Sequence, residues 1–237
     1  MLLAAHGATT RGRRPTNEDA WLADLPLGLF VVADGMGGHN AGEVASELAI
    51  VTIRDAMAVA DASTDGRLGA AVRRANEYIF QAAHRRSDYA GMGTTVSAAC
   101  VVDNRAVYGN VGDSRIYLLH DGELTQLTRD DSWISRAIDT GMPLTPSDIE
   151  GHPMRHVLTE VVGVRAEIAP AVQECELAPG DVLLLCSDGL HGSIPSDLLA
   201  AGLGSARDVD TIADSLVEQA IARGATDNVT ALVVRFG

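Results

Sequence analysis

The sequence lacks a long hydrophobic run, since no apolar stretch approaches the ~20 residues that a membrane-spanning helix needs. Its short apolar start precedes the first arginines, and this order is wrong for a secretory signal peptide. The three cysteines, Cys100, Cys175 and Cys186, lack the paired spacing of a disulfide framework. We therefore expect a cytoplasmic protein with reduced, buried thiols and no membrane partner.

Positive charge is also scarce. The chain has 18 Lys and Arg against 32 Asp and Glu, which gives a net charge of −14 and an isoelectric point near 4.7. This balance argues against nucleic acid or an anionic membrane as the main partner. By contrast, 46% of the 237 residues are hydrophobic, which is enough for the core of one large domain.

What the sequence does contain is four acidic clusters, each next to an apolar, strand-like run. Asp34, Asp113 and Asp188 follow such runs, and Asp227 precedes the last one. A carboxylate at the mouth of an apolar strand is costly to desolvate unless a positive charge compensates it. Oxygen ligands drawn from distant segments suit Mg²⁺ or Mn²⁺. The pattern therefore predicts a divalent-metal site at one edge of a sheet.

Apolar periodicity predicts an α+β fold in which helices cover antiparallel sheets. Helical spacing marks residues 42–60, 66–86, 132–139 and 208–223, and strand-like runs fill 27–33, 94–102, 105–111, 115–120, 171–177, 182–187 and 229–235. The turn signals Asp103-Asn104 and Asp121-Gly122 between consecutive strands indicate hairpins, which favour antiparallel pairing. We expect one domain over residues 1–237, with a polar insertion at about 128–163.

Asp-Gly pairs taken singly are turn signals. Asp65-Gly66, in a polar stretch before a helix, and Asp121-Gly122, between two short strands, are expected to be turns only. Asp34-Gly35 and Asp188-Gly189 differ, because each ends an apolar run instead of linking polar segments. Their occurrence together with the other acidic motifs points to chemistry rather than to turns.

Six short motifs, in order, carry a resemblance to a known family. They are Arg14-x-x-Asn17-Glu18-Asp19, DGMGGH (34–39), GMGTT (91–95), GDSR (112–115), SDGL (187–190) and DNVT (227–230). This order resembles the metal-dependent PPM family, the type 2C Ser/Thr protein phosphatases of bacterial style, over essentially the whole chain. The resemblance implies a four-layer α-β-β-α sandwich of two antiparallel sheets flanked by helices. It also implies that the insertion at 128–163 is a flap beside the active site.

The same resemblance implies an enzyme that hydrolyses phosphoserine and phosphothreonine. Attack would come from a water that bridges two Mn²⁺ or Mg²⁺ ions. Asp34 would bridge both ions, and Asp188 and Asp227 would complete the first site. Glu18 and the main-chain carbonyl of Gly35 would serve the second.

Two further acids have implied roles around this pair of ions. Asp19 is expected to lie behind the ligands or to act through a metal-bound water. Asp113 resembles the ligand of a third, weaker ion that it would share with Asp188. Many family members carry another acid four residues after that aspartate, where this chain has Gly192. A third site would therefore have fewer carboxylates.

Basic residues complete the implied site. Arg14 matches the family's phosphate-binding arginine, while its neighbour Arg13 is expected to be a solvated surface charge. His39 is the first candidate for the acid that protonates the leaving group, and a supporting or merely exposed position for it stays open. His152 and His156 are expected to contact the flap or the substrate rather than a metal.

Two other functions stay open. One is a catalytically silent binding module with the same fold, although all four main metal carboxylates are present, which favours an enzyme. The other is a hydrolase of small phosphate esters, because the core chemistry does not depend on what lies beyond the phosphorus. The resemblance implies phosphorylated proteins as partners, together with a Ser/Thr kinase and its targets, and we expect a monomer.

Overall fold

The computed structural model describes residues 3–37, 41–59 and 64–237. Within these ranges eleven strands form two antiparallel sheets that lie face to face, with helices on both outer sides. The strands are β1 (Leu3–Thr10), β2 (Asp19–Asp24), β3 (Leu29–Met36), β4 (Gly93–Thr94), β5 (Val96–Val102), β6 (Arg105–Val111), β7 (Arg115–His120), β8 (Glu123–Gln126), β9 (Ala171–Glu176), β10 (Val182–Cys186) and β11 (Val229–Phe236). The helices are α1 (Ala41–Ala58), α2 (Thr64–Arg85), α3 (Trp133–Asp139), α4 (Pro146–Glu150), α5 (Asp188–His191), α6 (Ser196–Leu203) and α7 (Val209–Ala222). The expected four-layer α-β-β-α sandwich is confirmed.

Each sheet is built mainly from strands that are distant in sequence. The first sheet has the order β1-β11-β10-β7-β8, and the second has the order β2-β3-β5-β6-β9, with β4 paired to β3. All these neighbours pair antiparallel. The chain therefore enters the second sheet at β2, leaves it after β6, and returns for β9 before it ends in the first sheet.

The central strands are apolar throughout because both of their faces are buried. On β3, Leu29 and Val31 pack toward the helices, whereas Phe30 and Val32 pack toward the opposite sheet. Neighbouring residues of a strand point to opposite faces, so a strand between two packed layers reads as a continuous hydrophobic run. This explains why β3, β10 and β11 were visible in the sequence.

The helices close the outer faces of the sandwich. Helices α1 and α2 cover the second sheet through buried residues such as Ile53 and Ile79. Helices α6 and α7 cover the first sheet through Leu199 and Leu216. No helix in the described part of the chain combines the length and the apolar character that crossing a membrane requires.

The structure also corrects some local expectations. Asp65-Gly66 is not a turn, because α2 begins at Thr64 and includes both residues in its first turn. Asp121-Gly122 is confirmed as a turn, with φ angles of 48° and 81°. Strands β1, β2 and β8 were not expected, since their short or polar sequences carry little strand signal and the sheet neighbours hold them in place.

Residues 128–163 contain α3 and α4, joined by irregular segments. The rings of Trp133 and His152 stack within this region, with 4.6 Å between their centroids. Its end is fixed by the buried side chain of Asn76 on α2, whose Oδ1 accepts a 2.7 Å hydrogen bond from the Gly163 backbone N–H. The insertion therefore has its own packing and an anchored end, and its role as a flap stays a prediction.

The packing between the sheets gives a stability test. Phe30 is fully buried in the intersheet core, so Phe30→Ala is expected to lower the free energy of unfolding by about 3–5 kcal/mol. Val51→Ala removes apolar atoms from a position that is 46% exposed and should change it by about 0.5 kcal/mol or less. Urea unfolding of the metal-free proteins measures both. Equal effects of the two substitutions would contradict the intersheet position of Phe30.

Candidate metal centre

The acidic motifs meet at one cavity of about 660 Å³ at the edge of the two sheets. Five of the predicted acids line it: Glu18, Asp34, Asp113, Asp188 and Asp227. The other lining residues are Arg14, Pro15, Thr16, Gly35, Met36, Gly37, Thr95, His156, Leu158, Thr226 and Asn228. Of the residues expected from the sequence, His39 lies outside the described residues. The structure thus brings together carboxylates from segments that are up to about 200 residues apart.

The strand register explains how two of these acids come together. In the pairing of β2 with β3, Asp19 lies directly opposite Asp34. Asp34 ends the apolar run, yet the strand continues to Met36. At the next position a Cβ on Gly35 would lie 2.1 Å from the Gly42 carbonyl oxygen, so only glycine allows this close approach. Like charges opposite each other destabilise a strand pair unless something compensates them.

The crowded carboxylates have raised pKa values. Burial, followed by the charges of Asp19 and Asp188, raises the pKa of Asp34 well above its usual range. Burial and the charge of Asp227 raise that of Asp188. Burial, more than neighbouring charge, raises the pKa of Asp19 and of Asp113 to about 7. Protonation or a bound cation would relieve this repulsion.

Asp19 lies behind the cavity and links the two sheets. Its Oδ2 accepts hydrogen bonds from Ser187 Oγ (2.8 Å) and Thr230 Oγ1 (2.6 Å), at the ends of β10 and β11. Its Oδ1 is buried and has no hydrogen-bond partner among the described residues, and the same holds for Asp188 Oδ1. A buried carboxylate oxygen without a donor is an unusual and costly arrangement. These two oxygens therefore point to a missing positive or donor group.

Asn228 is a positioning residue that the sequence reasoning missed. Its Oδ1 accepts a 2.8 Å hydrogen bond from the Glu18 backbone N–H. Its Nδ2 donates to the carbonyl oxygens of Arg11 (3.0 Å) and Thr16 (2.9 Å). One side chain therefore fixes the loop that carries Arg14 and Glu18. Its place in the DNVT motif was the available signal.

Thr95, which was given no role from the sequence, forms a second support with Ser114, for which a structural role was expected. Thr95 Oγ1 accepts a 3.0 Å hydrogen bond from the Asp34 backbone N–H and lies 2.7 Å from Ser114 Oγ. Thr94 Oγ1 donates to the Asp34 carbonyl at 2.9 Å. Both backbone groups of Asp34 are thus held by hydroxyl side chains. The GMGTT and GDSR motifs contain these residues.

The surroundings of Asp113 differ from those of the other acids. Gly192 supplies no carboxylate, and its backbone N–H donates to the Asp188 carbonyl at 2.8 Å. The neighbouring His191 places Nε2 3.0 Å from the Asp113 carbonyl oxygen, which can only accept, so this nitrogen carries the proton. Burial lowers the His191 pKa to about 4, so the ring is neutral at neutral pH. Asp113 is therefore held by its backbone, without an acid from residue 192.

Arg14 is paired with one of the predicted metal ligands. Its Nη2 lies 2.7 Å from Asp227 Oδ2, while Asp227 Oδ1 accepts a 2.9 Å hydrogen bond from the Asn228 backbone N–H. The hydrogen bond to Asp227, followed by its charge, raises the pKa of Arg14. Both oxygens of Asp227 therefore have donors, and a cation that binds Oδ2 would have to displace the guanidinium.

The two histidines of the insertion occupy different places. His156 lines the cavity. Its Nε2 accepts a 2.7 Å hydrogen bond from Arg155 Nε. His152 instead stacks on Trp133, outside the cavity lining. The insertion thus reaches the cavity through His156 and the nearby Leu158.

The donor set suits a hard divalent cation. In the described ranges, no three or more His, Cys, Asp or Glu side chains are arranged so that they could hold a metal ion without moving. The cavity is nonetheless lined by carboxylates, among them Asp34, whose pKa is raised, and Asp188, whose buried Oδ1 lacks a donor. Such oxygen-only sets prefer Mg²⁺ or Mn²⁺. The chemistry of the residues present therefore fits the expected ions.

Comparison with known proteins identifies a family and two close structural matches. Residues 6–228 match the family described as Protein phosphatase 2C. The chain is 39% identical over 225 residues to the serine/threonine protein phosphatase PstP of Mycobacterium tuberculosis, across 93% of this chain. It spans 42% of the length of that relative.

The structural matches extend over nearly the whole fold. The crystal structure of the M. tuberculosis phosphatase PstP/Ppp superposes with a TM-score of 0.92 at 36% identity, covering 100% of this chain and 99% of that one. The catalytic domain of PstP in complex with two manganese ions superposes with a TM-score of 0.88 at 36% identity, covering 98% and 97% of the two chains.

Metal should stabilise the protein more at high pH than at low pH. The folded pKa values of Asp19 and Asp113, about 7, exceed the ordinary value of ~3.9, so their contribution to stability is present below about pH 4 and is lost as pH rises toward 7. The increase in melting temperature from EDTA to Mn²⁺ is therefore expected to be larger at about pH 8 than at about pH 5.5. An Asp113→Asn variant should show a smaller difference. An equal or reversed pH dependence in the wild type would contradict the crowding of ionised carboxylates.

The pair between Arg14 and Asp227 gives a second test. Arg14→Ala is expected to tighten Mn²⁺ binding by up to about fivefold, because the ion no longer has to displace an exposed ion pair. Isothermal titration calorimetry measures this affinity. Arg13→Ala is the matched control, since it removes the same charge one residue away without the contact to Asp227. Equal tightening in both variants, or weaker binding in Arg14→Ala, would rule out competition for Asp227.

Proposed function

The chain belongs to the protein phosphatase 2C family, and we propose that it hydrolyses phosphoserine and phosphothreonine in proteins with two Mn²⁺ or Mg²⁺ ions. The observation that carries this proposal is the cavity lined by Glu18, Asp34, Asp188 and Asp227, with Arg14 at its edge. A binding module without catalysis would have no need for four carboxylates in one cavity, where their negative charges repel one another. Their presence favours the enzyme.

The carboxylates would hold the two ions, and the ions when bound would supply an activated water for attack on phosphorus. Asp34 is proposed to serve both ions, because the charges of Asp19, Asp188, Asp113 and Asp227 all raise its pKa, as expected for an acid that lies among the others. Asp188 and Asp227 would complete one site. Glu18 and the Gly35 carbonyl would complete the other, since the Gly35 N–H already bonds to the Glu18 carbonyl at 3.1 Å. The manganese-bound PstP structure supports Mn²⁺ as one of the ions.

Two acids have weaker proposed roles. Asp19 would support the ligands from behind, because Ser187 and Thr230 fix its Oδ2 while its Oδ1 stays available. Asp113 would share a third, weaker ion with Asp188. The absence of a side chain at Gly192 leaves that site with two carboxylates, which supports a low affinity.

Arg14 would bind the phosphate of the substrate. Its guanidinium has the planar donors that grip two phosphate oxygens and offset the charge that builds up during the reaction. In the structure the same donors contact Asp227. We propose that Arg14 exchanges this carboxylate for the substrate phosphate when the ions occupy the carboxylates.

His39 stays our proposed acid for the leaving oxygen, on the basis of the DGMGGH motif. His156 and Leu158 line the cavity from the insertion at 128–163, and we propose that they contact the substrate as part of a flap. A phosphoserine or phosphothreonine oxygen is a poor leaving group unless it is protonated, so the acid matters more for peptides than for activated esters.

The natural substrates would be proteins phosphorylated by a Ser/Thr kinase. The described structure contains three free cysteines, Cys100, Cys175 and Cys186, and such thiols suit the proposed cytoplasmic location. A monomer remains the simplest proposed state.

The function is tested by phosphate release from a phosphothreonine peptide with Mn²⁺, with Mg²⁺ and with EDTA. We expect turnover with either metal and none with EDTA. Asp188→Ala should lose at least about a hundredfold in kcat, because it removes a ligand of the proposed first site. Asp197→Ala, at an exposed acid of α6, is the matched control and should keep full activity.

Each alternative has its own result in this assay. Hydrolysis of p-nitrophenyl phosphate without release from any of a varied set of phosphopeptides would indicate a hydrolase of small esters. A folded, Mn²⁺-loaded protein that released phosphate from neither would indicate a binding module. Activity that survived both EDTA and Asp188→Ala would contradict the metal-centred mechanism.

A further inference from the structure

The edge of the cavity carries an unusual concentration of positive charge. Arg11, Arg13 and Arg14 lie within four residues of one another, in a chain whose net charge is −14. We call the segment Arg11–Arg14 the arginine loop. All three arginines are exposed, and the loop continues directly into Pro15 and Thr16, which line the cavity. The loop therefore brings three positive charges to the segment that leads into the lining of an acidic cavity.

The backbone of the arginine loop is firmly held. A turn closes it, since the Arg14 N–H donates to the Arg11 carbonyl at 3.0 Å, and Asn228 Nδ2 donates to the same carbonyl. Gly12 has a φ of +56°, and a Cβ at that position would lie 2.0 Å from the Asp227 carbonyl oxygen. The loop is thus packed against the segment that carries Asp227. Its side chains project from a fixed base.

The three arginines differ in how their side chains are engaged. Arg14 is paired with Asp227 and is the proposed phosphate ligand. Arg11 donates through Nη1 to the Pro15 carbonyl at 3.3 Å, which is a long hydrogen bond. Arg13 makes no hydrogen bond or ion pair within the described ranges of the chain. The guanidinium groups of Arg11 and Arg13, next to the proposed phosphate-binding residue Arg14, therefore have little or no protein partner.

A guanidinium group binds carboxylates and phosphates in the same bidentate way. An extended peptide advances about 3.3–3.6 Å per residue, so an oxyanion one to three residues from the phosphorylated residue lies roughly 3–11 Å from it. Arg13 directly precedes Arg14, and Arg11 is joined to Arg14 by the turn, so both lie near enough to the proposed phosphate site to meet such a group. The protein as a whole is negatively charged and repels acidic groups, so positive side chains beside the site favour the approach of an acidic substrate.

We propose that Arg13, with Arg11, selects substrates that carry a second oxyanion within three residues of the phosphorylated residue. The second group is either an acidic side chain or another phosphate. This inference rests on the proposed phosphatase function and extends it to the class of substrate. It also gives Arg13 a role beyond the solvated surface charge that the sequence predicted.

The test uses four phosphothreonine peptides of equal length. They have neutral flanks, Asp and Glu flanks, a second phosphothreonine two residues away, or basic flanks. The quantities measured are kcat and KM with Mn²⁺ at low and at high salt. For the wild type we expect kcat/KM to be at least about threefold higher for the acidic or the doubly phosphorylated peptide than for the neutral one, through KM, and the difference to shrink at high salt.

Charge reversal and a matched control make the test specific. Arg13→Ala should reduce this preference, and Arg13→Glu should shift it toward the basic peptide. Arg74→Ala removes the same charge from an exposed position of α2, none of whose described residues lines the cavity, and should leave the preference intact. A double Arg11→Ala, Arg13→Ala variant should lose the preference more fully than either single variant.

The outcomes separate this inference from the function on which it rests. A preference for the acidic peptide, for the doubly phosphorylated one, or for both supports the inference and identifies the oxyanion. Metal-dependent hydrolysis of all four peptides without that preference, or a preference unchanged in Arg13→Glu, overturns the inference and leaves the phosphatase function intact. No hydrolysis of any peptide overturns both.

Discussion

Repulsion among carboxylates is the interaction on which the rest of this structure depends. Asp34 lies opposite Asp19 on a neighbouring strand and shares a cavity with Glu18, Asp188 and Asp227. Burial adds to the cost, because a desolvated carboxylate is more stable when neutral. Such an arrangement persists only if the surrounding fold fixes the acids and either protons or a cation compensate their charge. The two-sheet sandwich provides the first condition, and the chemistry of the donor set points to the second.

Hydrogen bonds between polar side chains and the backbone hold most of the site in place. Asn228 binds the backbone of both the arginine loop and Glu18, and Thr95 binds the backbone of Asp34. Asp19 joins the two sheets by accepting from Ser187 and Thr230. These hydrogen bonds place the carboxylates without using the oxygens that face the cavity. Asn228 also contacts both the loop that carries Arg14 and the carboxylate of Asp227, so the same residue positions a cationic and an anionic group of the site.

The sequence was informative where burial or chemistry left a strong pattern. The strands buried on both faces were visible as apolar runs, and five of the six acids of the short motifs, all but Asp19, line one cavity. Strand β1 was not visible, because its residues Ala4, Ala5 and Gly7 have weak strand propensity and β11 holds it in the sheet. The pairing of Arg14 with Asp227 joins residues that are 213 positions apart, which no local pattern reveals. The turn assigned to Asp65-Gly66 failed because a helix with a strong apolar face extended through it.

The central claim is that these acids act together as one cation site. The most direct measurement is the number and affinity of Mn²⁺ ions bound per chain, obtained by calorimetry and by electron paramagnetic resonance for the wild type and Asp34→Asn. We expect about two ions to bind tightly to the wild type and both to be lost or severely weakened in the variant, because Asp34 is the proposed shared ligand. A wild type that binds no Mn²⁺, or an Asp34→Asn protein that binds it equally well, would contradict the claim.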